Sequence, residues 1–279
     1  MPLGRLVIVG TGLIGGSLAR AVRAAGVASR VVGVETEERR RETALKLGVV
    51  DEAHAELGPA LPGAEVVLFC TPVEQIAAQV LAAARLAKPG TLLTDVGSTK
   101  AAIVEAVERE LPAGALFVGG HPLAGSEKTG PEFADARLFE DRLVLLTPTP
   151  RTPEAALDAA RRFWRSLGAR VQCLPPDDHD RALALTSHLP HLVASALAGI
   201  LPAELLSLTA SGFRDVTRLA AGATELWTGI LSQNRPAVLA ALDLLEAHLS
   251  AFRQALETRD ESALRHLLEQ GREKRSRLS

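Results

Sequence analysis

Among the residues able to do acid–base work, His121 stands in the most suggestive place. It closes the run LFVGGH and is followed by Pro122 and a loop rich in glycine and charge, PLAGSEKTGPEFADARLFED. A hydroxyl that loses hydride must also lose a proton, and an imidazole with an ordinary pKa of about 6.5 can take it near neutral pH. Of the seven histidines, His54, His179, His248 and His266 fall in helix-like or turn contexts without polar support and are assigned to surface or structural positions. His188 and His191 are three apart and share a helical face. No third ligand of suitable spacing accompanies them, so they are read as a structural or substrate-proximal pair, and no metal is expected. Ser98, in TDVGSTK with Asp95, Gly97 and Lys100, either caps a helix beginning near residue 99 or holds a substrate or a catalytic histidine. Arg214 and Arg218, four apart with Asp215 between them, form either a solvated ion-pair face or a fork for a planar carboxylate.

A second set of residues is suited to holding a dinucleotide. In VIVGTGLIGGSLARA, Gly10, Gly12 and Gly15 give the spacing G-x-G-x-x-G directly after a strand and at the opening of a helix. The first glycine permits a tight turn, the second lets the backbone approach a pyrophosphate, and the third lets helix and strand pack closely. Leu13 and Ile14, between the last two, are counted among the cofactor contacts. Glu35 ends the next strand, twenty residues after Gly15. A carboxylate there accepts the ribose hydroxyls and repels a 2′-phosphate, which favours NAD over NADP. Thr71, after the third main strand, either lines the cofactor or caps the following helix.

These residues need a scaffold that brings strand ends together. Strand candidates at 6–10, 30–34, 65–70, 91–96, 116–121, 142–148 and 169–174 alternate with helical patterns near 13–25, 36–46, 73–86, 99–110 and 153–167. The early strands are apolar throughout, as in a strand covered on both faces, so a parallel, doubly wound sheet is expected. After Pro175–Pro176 the pattern becomes helical, with candidates at 178–200, 202–220, 223–232, 235–257 and 260–275, and a frayed charged tail at 270–279. The expected division is a nucleotide-binding domain over 1–175 and a helical domain over 176–279. Long Leu/Ala stripes in the helical part are expected to bury surface against a second copy of the chain.

With 47% hydrophobic residues the 279-residue chain can bury a sizeable core. A formal net charge of −2 and a pI near 6.4 point away from nucleic acid and membrane surfaces. A small anionic substrate requires only a local cluster of cations. Cys70 and Cys173 are expected as separate thiols rather than a disulfide. The N-terminus runs straight into a strand with no signal segment, and no stretch of about 18 uncharged apolar residues appears. The expected location is cytoplasmic.

The motifs taken together resemble those of the prephenate/arogenate dehydrogenases of tyrosine biosynthesis. VIVGTGLIGGSLA, VVGVE, DVGSTK, HPLAGSEKTG, HLPH and SGFRDVTRLAAGATELWTGILSQN follow one another in family order over nearly the whole chain. The resemblance implies an α/β Rossmann-like nucleotide-binding domain followed by an all-helical dimerisation domain, and a homodimer formed through the latter. It implies NAD-dependent oxidative decarboxylation of prephenate to 4-hydroxyphenylpyruvate, with arogenate as the alternative substrate. By the same resemblance His121 hydrogen-bonds the 4-hydroxyl and helps take its proton, Ser98 supports that histidine, and Arg218 binds the ring carboxylate. Ser126 is implied near the substrate. Glu127 and Asp215 are implied at the site entrance, with His188 or His191 as a partner and Arg214 at a more variable position. The compact monofunctional form is expected, without a mutase segment before residue 5 or a regulatory domain after the helical part. A non-catalytic NAD sensor is the distant alternative, and the combination of base, supporting serine and carboxylate anchor argues against it.

Overall fold

The structure, a computed structural model, describes residues 3–125 and 128–278. In chain order the first part contains β1 (Leu3–Val9), α1 (Leu13–Ala24), β2 (Ala28–Val34), α2 (Glu38–Lys46), β3 (Glu52–His54), α3 (Leu57–Ala60), β4 (Val66–Phe69), α4 (Val73–Leu86) and β5 (Leu92–Asp95). It continues with α5 (Ala101–Glu110), β6 (Leu116–Pro122), β7 (Leu143–Thr147), α6 (Glu154–Ser166) and β8 (Arg170–Cys173). These strands form one sheet in the order β3-β2-β1-β4-β5-β6-β7-β8. The inner strands are apolar along their length because both faces are covered. Leu6, Ile8 and Leu68 enter one core with α1 and α6, whereas Val7, Val67 and Phe69 enter the other with α4 and α5.

The sheet departs from the expected all-parallel form. Strands β1 to β6 pair in parallel, but β7 runs antiparallel to β6, and β8 is parallel to β7. A parallel return needs a crossover, usually a helix. Among its described residues the connection from β6 to β7 carries a short 3-10 turn, Pro131–Phe133, and no longer helix, so the chain doubles back to pair antiparallel with β6. The polar edge strand β3 and the single turn α3 have too few residues to show a period. Arg5 and Arg30 pair with Glu52 on that edge.

From Pro176 onward every element is helical: α7 (Pro176–Leu183), α8 (Leu189–Gly199), α9 (Ser211–Thr217), α10 (Thr224–Gln233), α11 (Arg235–Glu257) and α12 (Glu261–Ser276). A single π-helical turn, Ala184–His188, joins α7 to α8, so the expected helix 178–200 is one rod with a local widening that carries His188. The expected helix 202–220 breaks into a 3-10 segment (Ala203–Leu208), α9 and another 3-10 turn (Arg218–Ala221). None of these three pieces has a buried residue within this chain. The tail is helical to Ser276 rather than frayed: Asp260 caps α12 by accepting from Ala263 N at 2.9 Å, and Lys274 and Arg275 lie in the last turn, where cations complement the helix dipole. Cys70 and Cys173 are free and half-buried.

Candidate active site

The glycine fingerprint is built by close contacts that exclude any larger residue at two of its three positions. Gly10 has φ +90°, and a Cβ there would lie 2.8 Å from Cys70 O; at Gly15 a Cβ would lie 2.0 Å from Gly10 O. Gly12 has nothing within 4 Å of such a Cβ, which leaves its backbone open to a ligand at the start of the twelve-residue helix α1. Glu35 is buried beside this turn. Its carboxylate accepts from Thr11 N at 3.1 Å, from Thr11 Oγ1 at 3.3 Å and from Glu37 N at 3.2 Å. A carboxylate has about four acceptor positions, so one is left for a ligand hydroxyl. These residues fit a dinucleotide with an unmodified ribose.

A cavity of about 890 Å³ begins at this turn and runs to the helical part. Gly12, Leu13, Ile14 and Thr71 line one end; Ser98 and His121 lie further in, and His188 and Trp227 form the wall contributed by the helices. Thr71 donates to Gln79 and does not cap α4, whose cap position is Pro72. Ser98 does not cap α5 either. That helix begins at Ala101 after Lys100, and its first N–H groups are satisfied from another element.

The element responsible is α7. Asp180 Oδ1 accepts from Lys100 N at 2.7 Å, and Oδ2 accepts from Ala101 N at 2.9 Å. Burial works to raise the Asp180 pKa, but hydrogen bonds from His179, Ala101 and Lys100 outweigh it and hold the carboxyl below its ordinary value. His179 Nδ1 lies 2.8 Å from Asp180 Oδ1, and His179 Nε2 lies 2.9 Å from His121 Nδ1. An ionised carboxylate can only accept, so His179 carries its proton on Nδ1. Burial lowers the His179 pKa, which keeps the ring neutral and makes its Nε2 an acceptor. His121 must then donate from Nδ1, and its Nε2 holds the lone pair. Burial, His179 and Lys100 push the His121 pKa well below its ordinary value. The arrangement is a neutral imidazole of fixed tautomer at the wall of a cavity, able to accept a hydrogen bond or a proton.

His179 therefore departs from its sequence-based assignment: it is fully buried and holds His121. His54 too has polar support, from Glu52 at 2.6 Å. Lys100 is buried against Asp95, whose Oδ1 accepts from Gly120 N at 3.1 Å and Oδ2 from Gly97 N at 2.9 Å. These bonds fix the ends of β5 and β6 beside His121. Of the HLPH pair, His188 lines the cavity, whereas His191 stacks on Trp227 with ring centroids 3.6 Å apart. Ser98 reaches the cavity without a hydrogen bond to His121. Arg214, Asp215 and Arg218 lie in the exposed segment around α9 and do not line the cavity within this chain; Arg214 donates to Thr209 O at 3.3 Å. Ser126 and Glu127 lie outside the described residues. Among the described residues, no group of three or more His, Cys, Asp or Glu side chains is arranged to hold a metal ion, and no helix is long and apolar enough to cross a membrane.

Comparison with known proteins places this arrangement in context. The family model "Prephenate dehydrogenase, nucleotide-binding domain" matches residues 18–173, and "Prephenate dehydrogenase, dimerization domain" matches residues 175–270. A cyclohexadienyl dehydrogenase of Zymomonas mobilis is 35% identical over 262 residues, 91% of this chain and 89% of that protein. A prephenate dehydrogenase of Bacillus subtilis is 33% identical, covering 91% of this chain and 71% of the relative. Among solved structures, prephenate dehydrogenase from Aquifex aeolicus in complex with hydroxyphenyl propionate and NAD+ superposes with a TM-score of 0.93 at 29% identity, over 100% of this chain and 99% of the other. Synechocystis arogenate dehydrogenase gives 0.83 at 33% identity, over 99% and 100%.

Proposed function

The chain belongs to the prephenate dehydrogenase family, and from that premise we propose that it converts prephenate to 4-hydroxyphenylpyruvate and carbon dioxide with NAD. The observation that carries the reading is the chain Asp180–His179–His121, which leaves the Nε2 lone pair of His121 on the cavity that also holds Gly12 and Thr71. Bound NAD supplies the hydride acceptor. His121 Nε2 accepts the proton of the ring hydroxyl. His179, hydrogen-bonded behind it, spreads the positive charge that His121 gains, and the Asp180 carboxylate stabilises that charge. The ring then loses its carboxylate and becomes aromatic, which needs no metal and no covalent nucleophile. Ser98, on the same cavity, is proposed to touch the same substrate oxygen.

Glu35 supports NAD rather than NADP: with three protein donors already on its carboxylate, the remaining acceptor position suits a ribose hydroxyl and opposes a phosphate. Arg218 is proposed as the anchor of the ring carboxylate, with Arg214, Ser126, Glu127 and Asp215 around the entrance. A homodimer is proposed through the helical part. Ile200, Leu206 and Leu208 are 76%, 58% and 77% exposed in the single chain and lie in one stretch of the helical part, where a second copy would cover them. That interface would also cover the segment that carries Arg218.

Arogenate is retained as a second substrate because the Synechocystis arogenate dehydrogenase is as similar in sequence as the prephenate relatives. Purified protein is incubated with prephenate or arogenate and with NAD or NADP, and the reduced cofactor and the product are followed. The expected result is NADH with 4-hydroxyphenylpyruvate. Tyrosine formed from arogenate alone would establish the second reading, and no reduced cofactor from either substrate would sink both.

A further inference from the structure

Asn234 stands between α10 and α11 and is 2% exposed. Its Nδ2 lies 2.8 Å from Asp180 O and 3.0 Å from His188 Nδ1. A backbone carbonyl can only accept, so the atom facing it is the amide NH2 and not the amide oxygen. Both contacts are therefore donations by Asn234. His188 Nδ1 is the acceptor in one of them, and the proton of the neutral ring sits on Nε2. Burial pushes the His188 pKa down to about 4, so the ring is neutral at physiological pH.

That Nε2–H has no hydrogen-bond partner, although His188 is only 1% exposed. Trp227 stands edge-on to it, 6.2 Å between ring centroids, and its indole offers a donor and no lone pair. A buried donor without an acceptor carries a desolvation penalty unless a ligand removes it. His188 lines the cavity that holds His121, and it sits on the single π-turn of the helix that also carries His179 and Asp180. Wide turns of this kind recur at functional sites.

We propose that Asn234 is a positioning residue: it locks His188 in the Nε2–H form, so that this ring donates to an acceptor oxygen, carbonyl or carboxylate, of the substrate held against His121. The inference rests on the reaction proposed above for the identity of that substrate. The cavity then presents two neutral imidazoles of opposite polarity. His121 accepts from the hydroxyl that is oxidised, and His188 donates to an oxygen that is not. One asparagine serves both, because the same NH2 also ties down the carbonyl of Asp180, the residue that orders His121 through His179.

The test is 15N NMR of the imidazole nitrogens in the full-length protein at neutral pH, with His188→Gln used to assign the His188 signals. The expected result is an unprotonated Nδ1 and a protonated Nε2 at His188, with the Nε2–H signal moving when 4-hydroxyphenylpyruvate binds. In Asn234→Leu the tautomer preference should be lost, and KM should rise about tenfold, with kcat falling as well because the carbonyl of Asp180 loses its donor. A wild-type His188 protonated on Nδ1, or on both nitrogens, overturns the proposal whether or not the variant folds. So does an Nε2–H signal that 4-hydroxyphenylpyruvate leaves in place while it displaces others in the cavity. A chain that forms NADH from neither substrate refutes the assigned reaction, and the nitrogen shifts of the free protein still decide the tautomer.

Discussion

Replacing Asp180 by Asn keeps the size of the side chain and removes the charge that orders the relay. The two carboxylate oxygens accept three hydrogen bonds, from Lys100 N, Ala101 N and His179 Nδ1. An amide has one oxygen, so no orientation preserves all three. If its oxygen stays on Lys100 N and His179, its NH2 faces the Ala101 N–H, and a buried donor is left unmatched at a cost of about 1–3 kcal/mol. If the amide turns, its NH2 donates to His179 Nδ1. His179 must then carry its proton on Nε2 and donate it to His121 Nδ1, which moves the His121 proton onto the cavity side. In that form His121 cannot act as a base. Loss of a positioned base, or of its correct tautomer, lowers turnover on the order of 10²- to 10⁴-fold. We expect kcat to fall in that range with KM within about threefold. Steady-state NADH formation should be compared in Asp180→Asn, His121→Ala and the double variant. Residues acting as one unit are not additive, so Asp180→Asn should add little once His121 is gone. An equal loss in both backgrounds would refute the relay and leave Asp180 as a cap for α5.

The glycine turn separates fold from binding. Gly15→Ala forces a Cβ to within 2.0 Å of Gly10 O and should lower stability by about 1–3 kcal/mol in urea unfolding, whereas Gly12→Ala should leave the unfolding midpoint unchanged and weaken NAD binding in calorimetry. Equal stability loss in both would contradict the assignment of Gly12 to the ligand. His121, His179 and His188 all bind a proton more weakly in the folded chain than in the unfolded one. Stability should therefore be full above about pH 6.5 and fall as the pH drops toward 4. For His188, from 6.5 to about 4, the contribution is about 3 kcal/mol. Urea unfolding at pH 7 and pH 5 should show a smaller pH dependence in His188→Gln; an unchanged slope would contradict its buried neutral state. Arg218→Ala should raise KM more than it lowers kcat, and a fall in kcat at constant KM would argue against carboxylate anchoring.

Much of the fold was legible because strands buried on both faces are apolar throughout, as in LVIV and VVLF, and because G-x-G-x-x-G followed by Glu35 has a fixed place in such a sheet. The reversal at β7 was not. Its apolar run reads the same in either direction, and what distinguishes the two is the lack of a crossover helix among the described residues of 123–142. His121 was legible as the last polar residue of a strand. Its partner was not, because His179 is 58 residues away and DDHD reads as the acidic start of a helix. Asp177 and Asp178 do lie in the first turn. A signal was nonetheless present. His179, Asp180, Leu183, Ala184 and His188 recur at helical spacing and are all buried, so three titratable residues sit on an apolar stripe. The broken helix over 202–220 could not be read because most of its side chains stay exposed within one chain, so burial imposes no helical period on its Leu/Ala pattern.

The most direct test is the rate of NADH formation from prephenate by His121→Asn at saturating NAD and substrate. With His121 as the base, turnover falls on the order of 10²- to 10⁴-fold while NAD affinity is unchanged, since the glycine turn and Glu35 are left intact. Turnover within a few-fold of the wild type would contradict it, because the relay from Asp180 through His179 would then end on a residue the reaction does not use.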